Sequence, residues 1–485
     1  MQTRNAEVSY DREPAPTLAG PDMSKLLYIG AWMLFAMSAT HAATLPAAVE
    51  LDMHGLRYTL NQSRDPAEGN YEVIARETAL VTSDGRYRYS TDTRYPGNIT
   101  FRFLVGSPSG SSTVDLLKWR NGIEIERDDA ATARKSYADL LFLAPAMLLN
   151  LSNQRSDGGE TADGVHIESM LDPANRPATI AVDTKSGDIV RAKSDKLSYE
   201  YSGYAVRDGI RQPGHINVRD GDRLVASWDV AAKSTAPAAN AFDLPAGYIE
   251  TQAKGSLRAT LVADGAYRVD GTESGYHTGF VVGSMGVAVF DAPVSPQEAA
   301  KVRALIEETA PGRKITHIVL SHGHRDHIAG LPAYLPQEGV QVLVGRGGMQ
   351  ALRRQMGDGV AARAREVLEE TTIDLGSRKV RLVPLASSHA NDMLVAYDAS
   401  SHTIFHGDLF YLPEVGPIPP AFDVSVELQD LIAKHHMQAD HLVGVHGRSG
   451  TDDDLRASIA LRAMTPQAIQ KKTAVRRLSV WSKPK

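Results

Sequence analysis

Between residues 45 and 248 the apolar positions alternate with polar ones or form short runs of strand length. Tyr71-Glu-Val-Ile-Ala75, Arg86-Tyr-Arg-Tyr-Ser90, Ile99-Thr-Phe-Arg-Phe-Leu104 and Leu224-Val-Ala-Ser-Trp228 are the clearest cases. Successive strand side chains point to opposite faces, so this spacing predicts strands with one face buried. Ser83-Asp-Gly85, Asp208-Gly209 and Asp220-Gly-Asp222 supply turn signals between them. One stretch breaks the pattern. Residues Ala131 to Leu151 read as an amphipathic helix whose run Leu140–Leu149 would pack on a sheet face. Pro145 lacks the amide proton a helix interior needs, so it predicts a kink or a second start.

The rhythm changes near residues 249–255, just beyond an exposed connection at Ser234–Ala241. Strands are expected at Tyr267-Arg-Val269, Gly279-Phe-Val-Val-Gly283 and Val287-Ala-Val-Phe290. A helix follows from Pro296 to Ala310, with Ser295 as N-cap and Glu298 three residues later, the pattern of a capping box. Lys314 to Leu320 reads as a buried strand. The expected order is a mostly antiparallel β (α+β) domain over 45–248, an α/β domain over 255–465, and a basic tail over 466–485.

Residues 23–42 have the form of a secretory signal peptide. Met23-Ser-Lys25 is a short positive start, Leu26 to Met37 is apolar over 12 residues, and Ala39-Thr-His-Ala42 offers small residues for cleavage. That apolar stretch is short for a bilayer span. The polar residues 1–22 precede a region where nothing should, and translation from Met23 would make them a start-site extension. The expectation is export to the periplasm. The chain has no cysteine, which removes disulfides and thiolate ligands and is compatible with an oxidising compartment. A net charge of −6 over 485 residues gives no basic footprint for nucleic acid. No nucleic-acid partner is therefore expected, and the partner expected is a small-molecule substrate.

The densest chemistry lies in Ser321-His-Gly-His-Arg-Asp-His-Ile-Ala-Gly330. Neutral imidazoles and carboxylates suit a borderline divalent cation such as zinc. In extended chain His322 and His324 point to one side, and after a turn Asp326 and His327 can face a second point. One loop can thus serve two metals.

The pattern His-x-His-x-Asp-His resembles the second motif of the metallo-β-lactamase superfamily, and later motifs of that family follow in order. They are His389 in Ser-Ser-His389-Ala-Asn-Asp, Asp408 in Phe405-His-Gly-Asp408, and His446 in Val443-Gly-Val-His446-Gly447. The resemblance covers roughly residues 255 to 465. It implies an αββα sandwich with one metal on His322, His324 and His389, a second on Asp326, His327 and His446, and Asp408 bridging. A further stretch, Tyr201 to Pro213 closing with Phe242 to Tyr248, is similar to the periplasmic lipoprotein-carrier fold. That likeness implies a curved antiparallel sheet over helices and an apolar ligand inside it.

Two divalent cations lower the pKa of a shared water to near neutrality and polarise a substrate oxygen. The resemblance therefore implies a secreted dinuclear zinc hydrolase (iron is the other metal) acting on an ester, lactone, thioester, amide or phosphodiester. Histidine at 324 favours zinc over the di-iron branch, and aspartate at 408 resembles glyoxalase II, lactonases and phosphodiesterases more than true β-lactamases. Asp326 would orient the attacking water and take a proton. Tyr276 could donate to a developing oxyanion, and His277 would contact substrate. Asp291 would buttress the metal loop, Asn391 and Asp392 would fix the His389 ring, and His406 would support Asp408. Pro413 to Phe422 would be a stiff cover near the metals. Two alternatives stand beside this reading: a mononuclear iron oxidoreductase like the persulfide dioxygenases, and an apolar-ligand-binding protein with a vestigial metal domain.

Overall fold

The computed structural model describes residues 46–464, apart from 107–112, 116–123, 128, 150–154, 162, 244–246, 248 and 251–254. The signal-peptide and basic-tail expectations fall outside the described residues. Among the described residues no helix is long and apolar enough to cross a membrane.

Among the described residues the first half is built on one sheet of fourteen strands, with a separate two-stranded hairpin of Ala205–Arg207 and Ile210–Gln212. The middle of the large sheet is a long hairpin in which Ala48–Leu60 pairs with Asn70–Thr82 along its whole length, while Arg223–Ser234 flanks the other side. Tyr87–Arg94 and Thr100–Gly106 extend the sheet from the hairpin, again antiparallel. Because each strand reverses direction, the connections 61–69 and 95–99 emerge at the same end of the sheet. That end meets the second half of the molecule.

The alternating pattern is visible in the burial. Val49, Leu51 and Met53 are buried on one face, with Ala79, Val81, Ile180, Ile216 and Trp228. The helical stretch packs there, but as two helices, Ala130–Leu141 and Pro145–Leu148. Ala144 sits at φ −121°, ψ 64°, outside the helical region, so the proline starts a new helix rather than kinking one. Asp129 caps the first, accepting the Thr132 amide.

The second half is a four-layer sandwich. A seven-stranded sheet runs from Arg258–Ala263 to Ala364–Glu366, and a five-stranded sheet from Thr371–Asp374 to His441–Gly444. Val281, Ala288, Phe290 and Leu343 of one meet Leu382, Leu394, Ala396 and Phe405 of the other. The Phe290 and Phe405 rings stack at 4.1 Å. A Cβ at position 279 would lie 2.3 Å from the Phe405 ring, so only glycine admits this contact. Helix Pro296–Thr309 covers the outer face of the first sheet through Ala299, Val302 and Ile306. Helices Asp423–Lys434 and Asp452–Met464 cover the second through Leu428, Leu431 and Leu455. With both faces covered, strands such as Val287–Phe290 and Met393–Asp398 are buried at every position, which is why their sequences do not alternate.

The capping box forms by half. Ser295 accepts the Glu298 amide, but the Glu298 carboxylate takes the Ser274 amide at 2.9 Å and its hydroxyl at 2.5 Å instead of turning back to Ser295. It thereby ties the loop that carries Tyr276 and His277 to the helix.

Candidate metal centre

The candidate ligands lie on loops at one edge of the sandwich. Ile315–Val319 ends into the loop of His322 and His324, and the single helical turn Arg325–Ile328 carries Asp326 and His327. His389 precedes Met393–Asp398, Asp408 follows Thr403–Gly407, and His446 follows His441–Gly444. Gly407 takes φ +60°, and a Cβ there would fall 2.5 Å from the Ser321 hydroxyl. The last residue before Asp408 must therefore be glycine for the two ligand loops to meet.

Seven side chains from five segments converge. His322 Nε2 is 2.9 Å from His324 Nδ1 and 3.2 Å from His389 Nε2. Tetrahedral zinc with bonds of about 2.0–2.1 Å spaces its nitrogens by roughly 3.3 Å, close to these separations. Asp408 faces both sides. Its Oδ2 is 3.4 Å from His389 Nε2, and its Oδ1 is 3.2 Å from His327 Nε2 and 3.3 Å from His446 Nε2. Asp326 Oδ2 stands 3.8 Å from His327 Nε2. Three groups of potential ligand atoms lie within 4.8 Å of one another: His322, His324, His389; His322, His327, Asp408; and Asp326, His327, His446.

Two features show that this donor set suits cations. His327 Nε2 and Asp408 Oδ1 are buried and face each other, yet neither has a hydrogen-bond partner. Unpaired buried polar atoms are costly, and a shared cation would satisfy both. Burial and the neighbouring imidazoles also hold His322 well below its ordinary pKa, and His324 is lowered to about 3 by burial and by His389. Neutral rings keep the lone pairs that ligation needs. Burial opposes charge on His327, but the Asp408 and Asp326 carboxylates outweigh it and push that ring well above its usual value. Side-chain exposure is 0% for His322 and His327 but 26% for Asp326 and 22% for His446, so the site opens on the Asp326–His446 side.

Around the ligands, Asp291 accepts the Ser321 amide at 2.6 Å with Oδ1 and meets His327 Nδ1 at 3.2 Å with Oδ2. It holds both ends of the loop while itself at φ +63°. The Tyr276 hydroxyl donates to Asp326 Oδ2 at 3.3 Å, and its ring stands edge-on to His446 at 4.4 Å. Burial and the Asp326 and Asp408 carboxylates push the phenol far up, so it stays protonated. His277 is engaged at both nitrogens. Nδ1 lies 3.1 Å from Asp270 Oδ1 and from the Val269 carbonyl, and Nε2 lies 3.1 Å from Glu414 Oε1. Glu414 is the second residue of the Pro-rich segment, which is held further on by Ser458 donating to the Pro419 carbonyl at 2.6 Å.

Three supporting expectations change. The His389 ring is held by the Pro96 carbonyl, 3.2 Å from Nδ1, rather than by Asn391 or Asp392. The Asn391 amide donates to the Arg64 carbonyl at 2.9 Å. Asp392 accepts the Gly323 amide, and burial raises its carboxyl to about 7. His406 Nδ1 has no hydrogen-bond partner among the described residues. The sequence reading also missed Gln62, Ser63 and Pro96, which reach the ligands from the other half of the chain. No local pattern marks them.

Residues 271–447 match the model of the metallo-beta-lactamase superfamily, to which this region of the chain belongs. No curated protein matches the chain in sequence. Among solved structures, a metallo-beta-lactamase from Pontibacter korlensis is 17% identical with a TM-score of 0.36, over 43% of this chain and 99% of its own. A stereoselective inverting sec-alkylsulfatase from Pseudomonas sp. is 15% identical with a TM-score of 0.35, over 42% of this chain and 41% of its own. A mutant flavo di-iron protein from Thermotoga maritima is 16% identical with a TM-score of 0.34, over 43% and 62%. The match thus spans about two fifths of the sulfatase's length. None of these likenesses bears on what this chain acts on.

Proposed function

We propose that the chain is a metal-dependent hydrolase with a dinuclear centre, acting on an ester, lactone, thioester, amide or phosphodiester. The observation that carries it is the two-sided Asp408 carboxylate, with one oxygen toward His389 and the other toward His327 and His446. Two divalent cations held there would activate a shared water and polarise the substrate oxygen. His322, His324 and His389 would hold one, and Asp326, His327 and His446 the other. Asp326 Oδ2 then faces the open side, where it can orient water and take its proton. Tyr276, kept protonated, can donate to negative charge developing on the substrate. His277, engaged by Asp270 and Glu414, acts by holding the Pro-rich segment in place.

The test is a hydrolysis screen across lactone, thioester, β-lactam and phosphodiester substrates with zinc-loaded protein, alongside metal analysis of natively expressed protein. Two zincs per chain and turnover of one substrate class support the reading. One iron per chain and no hydrolysis overturn it in favour of an iron oxidoreductase.

The proposal includes export through residues 23–42, checked by an N-terminus near Ala43 in the mature protein. A second reading concerns the N-terminal sheet. A cavity of about 320 Å³ lies between the Ala130–Leu141 helix and the sheet, lined by Tyr87, Leu140, Tyr199, Trp228 and Arg57 among others. It supports an apolar ligand there, and quenching of Trp228 fluorescence by a fatty-acid probe would check it.

A further inference from the structure

The metal centre is not built by the sandwich alone. The connection that follows Ala48–Leu60 crosses the ligand loop, and each of its residues from 61 to 64 bonds to the second half of the chain. The Asn61 carbonyl accepts the Arg325 amide at 3.2 Å. Gln62 Nε2 donates to Asp326 Oδ1 at 2.7 Å, across 264 residues of sequence. The Ser63 carbonyl lies 3.0 Å from His324 Nε2, and Arg64 Nε donates to the Ser387 carbonyl at 2.9 Å, two residues before His389. From the same end of the sheet, the 95–98 turn brings the Pro96 carbonyl to His389 Nδ1.

Three of these contacts act on a ligand's orientation. A carbonyl can only accept, so Ser63 fixes the His324 proton on Nε2 and leaves Nδ1, the atom facing His322, with its lone pair. Pro96 does the same for His389, leaving Nε2 toward Asp408. Gln62 occupies Asp326 Oδ1, so that Oδ2 alone is presented to His327 and Tyr276. The strap is itself held by Arg354, which donates to Asn61 Oδ1 at 3.2 Å and to the Pro66 carbonyl.

We propose that the 61–66 strap and the 95–98 turn of the N-terminal sheet are working parts of the metal centre, with Gln62 the positioning residue for Asp326. The inference rests on the dinuclear reading above and assigns the N-terminal domain a role in it. The N-terminal sheet is then also the second wall of the site, at the end opposite its 83–86 turn. Partners of ligands in this position typically change metal affinity by 10–100-fold when removed.

The experiment is a cobalt(II) titration of the metal-stripped full-length chain, followed by visible absorption and by competition with a chromophoric chelator. Gln62→Met keeps the length and packing of the side chain but cannot donate; Gln62→Ala removes both. We expect two transitions in the parent protein. In both variants the one belonging to the Asp326–His327–His446 position weakens about 10-fold or more, while the other and the thermal midpoint of the metal-free protein hold. A role in packing alone predicts that Gln62→Met behaves like the parent. Two parent transitions with a superimposable Gln62→Met titration overturn this inference and leave the dinuclear reading standing. A single transition in the parent overturns both. If Gln62→Ala fails to fold, Gln62→Met still decides.

Discussion

Gly97→Ala adds one methyl group at the place where the two halves of the chain meet behind the metal centre. Gly97 sits in the turn of Pro96–Asn98 at φ +80°, ψ 12°. A Cβ there would stand 2.6 Å from Val424 Cγ1 and 3.4 Å from His389 Cβ. Alanine in left-handed backbone costs about 1–2 kcal/mol, and the overlap with a buried valine adds about 1–3 kcal/mol if nothing moves. The cheaper response is for the turn to withdraw from Val424 and His389. Withdrawal carries the Pro96 carbonyl off His389 Nδ1 and frees that ring to rotate or change tautomer. The expected result is a roughly 10–100-fold loss of affinity at the position formed by His322, His324 and His389, read by zinc competition against a chromophoric chelator. Gly85→Ala is the control. Gly85 has φ +91° with nothing within 4 Å of a Cβ, in a turn at the far end of the same sheet. It should lower the thermal midpoint through the same backbone strain and leave metal affinity unchanged. Gly97→Ala protein with parent-like affinity would show that the Pro96 carbonyl does not hold His389 in solution, and the reasoning would fail.

Three further outcomes are expected. Asp408→Ala should bind metal poorly at both positions and lose turnover of every hydrolysable substrate, and full activity after metal stripping would refute the proposed chemistry. Tyr276→Phe should retain metal content by elemental analysis but lower kcat by about 10²-fold if the hydroxyl stabilises developing charge; an unchanged kcat would remove that role. The third concerns His277. Burial opposes its charge, but the Asp270 and Glu414 partners raise its pKa above the ordinary value near 6.5. A raised folded-state value means these contacts stabilise below the unfolded pKa and lose their effect as pH rises through the folded one. Glu414→Gln should therefore lower the His277 midpoint in an NMR titration and reduce stability on the acid side only, and equal destabilisation at pH 9 would contradict this.

The seven candidate positions whose side chains converge could be picked out in the sequence because each sits in a short segment beside a buried strand. The spacing within 322–327, together with strand-ending motifs at Asp408 and His446, encodes direction locally, and the fold only has to bring the strand ends to one edge. The layers were legible for a related reason. A sheet with one buried face writes itself as alternation, as in Tyr71–Ala75, while strands covered on both faces read as apolar runs, as in Val287–Phe290. What the sequence did not carry is the company the ligands keep. Ser63 and Pro96 act through main-chain carbonyls, which every residue possesses, so their side chains hold no record of the role. Gln62 is an ordinary polar loop residue until a hairpin end delivers it to Asp326 from 264 positions away. Even Glu298, placed correctly for a capping box, found a stronger use in the Ser274 amide and hydroxyl of a neighbouring loop. The sequence by itself determined which atoms can ligate. Only the tertiary structure decided which nitrogen and which oxygen each ligand presents, because that choice is made by hydrogen-bond partners drawn from distant parts of the chain.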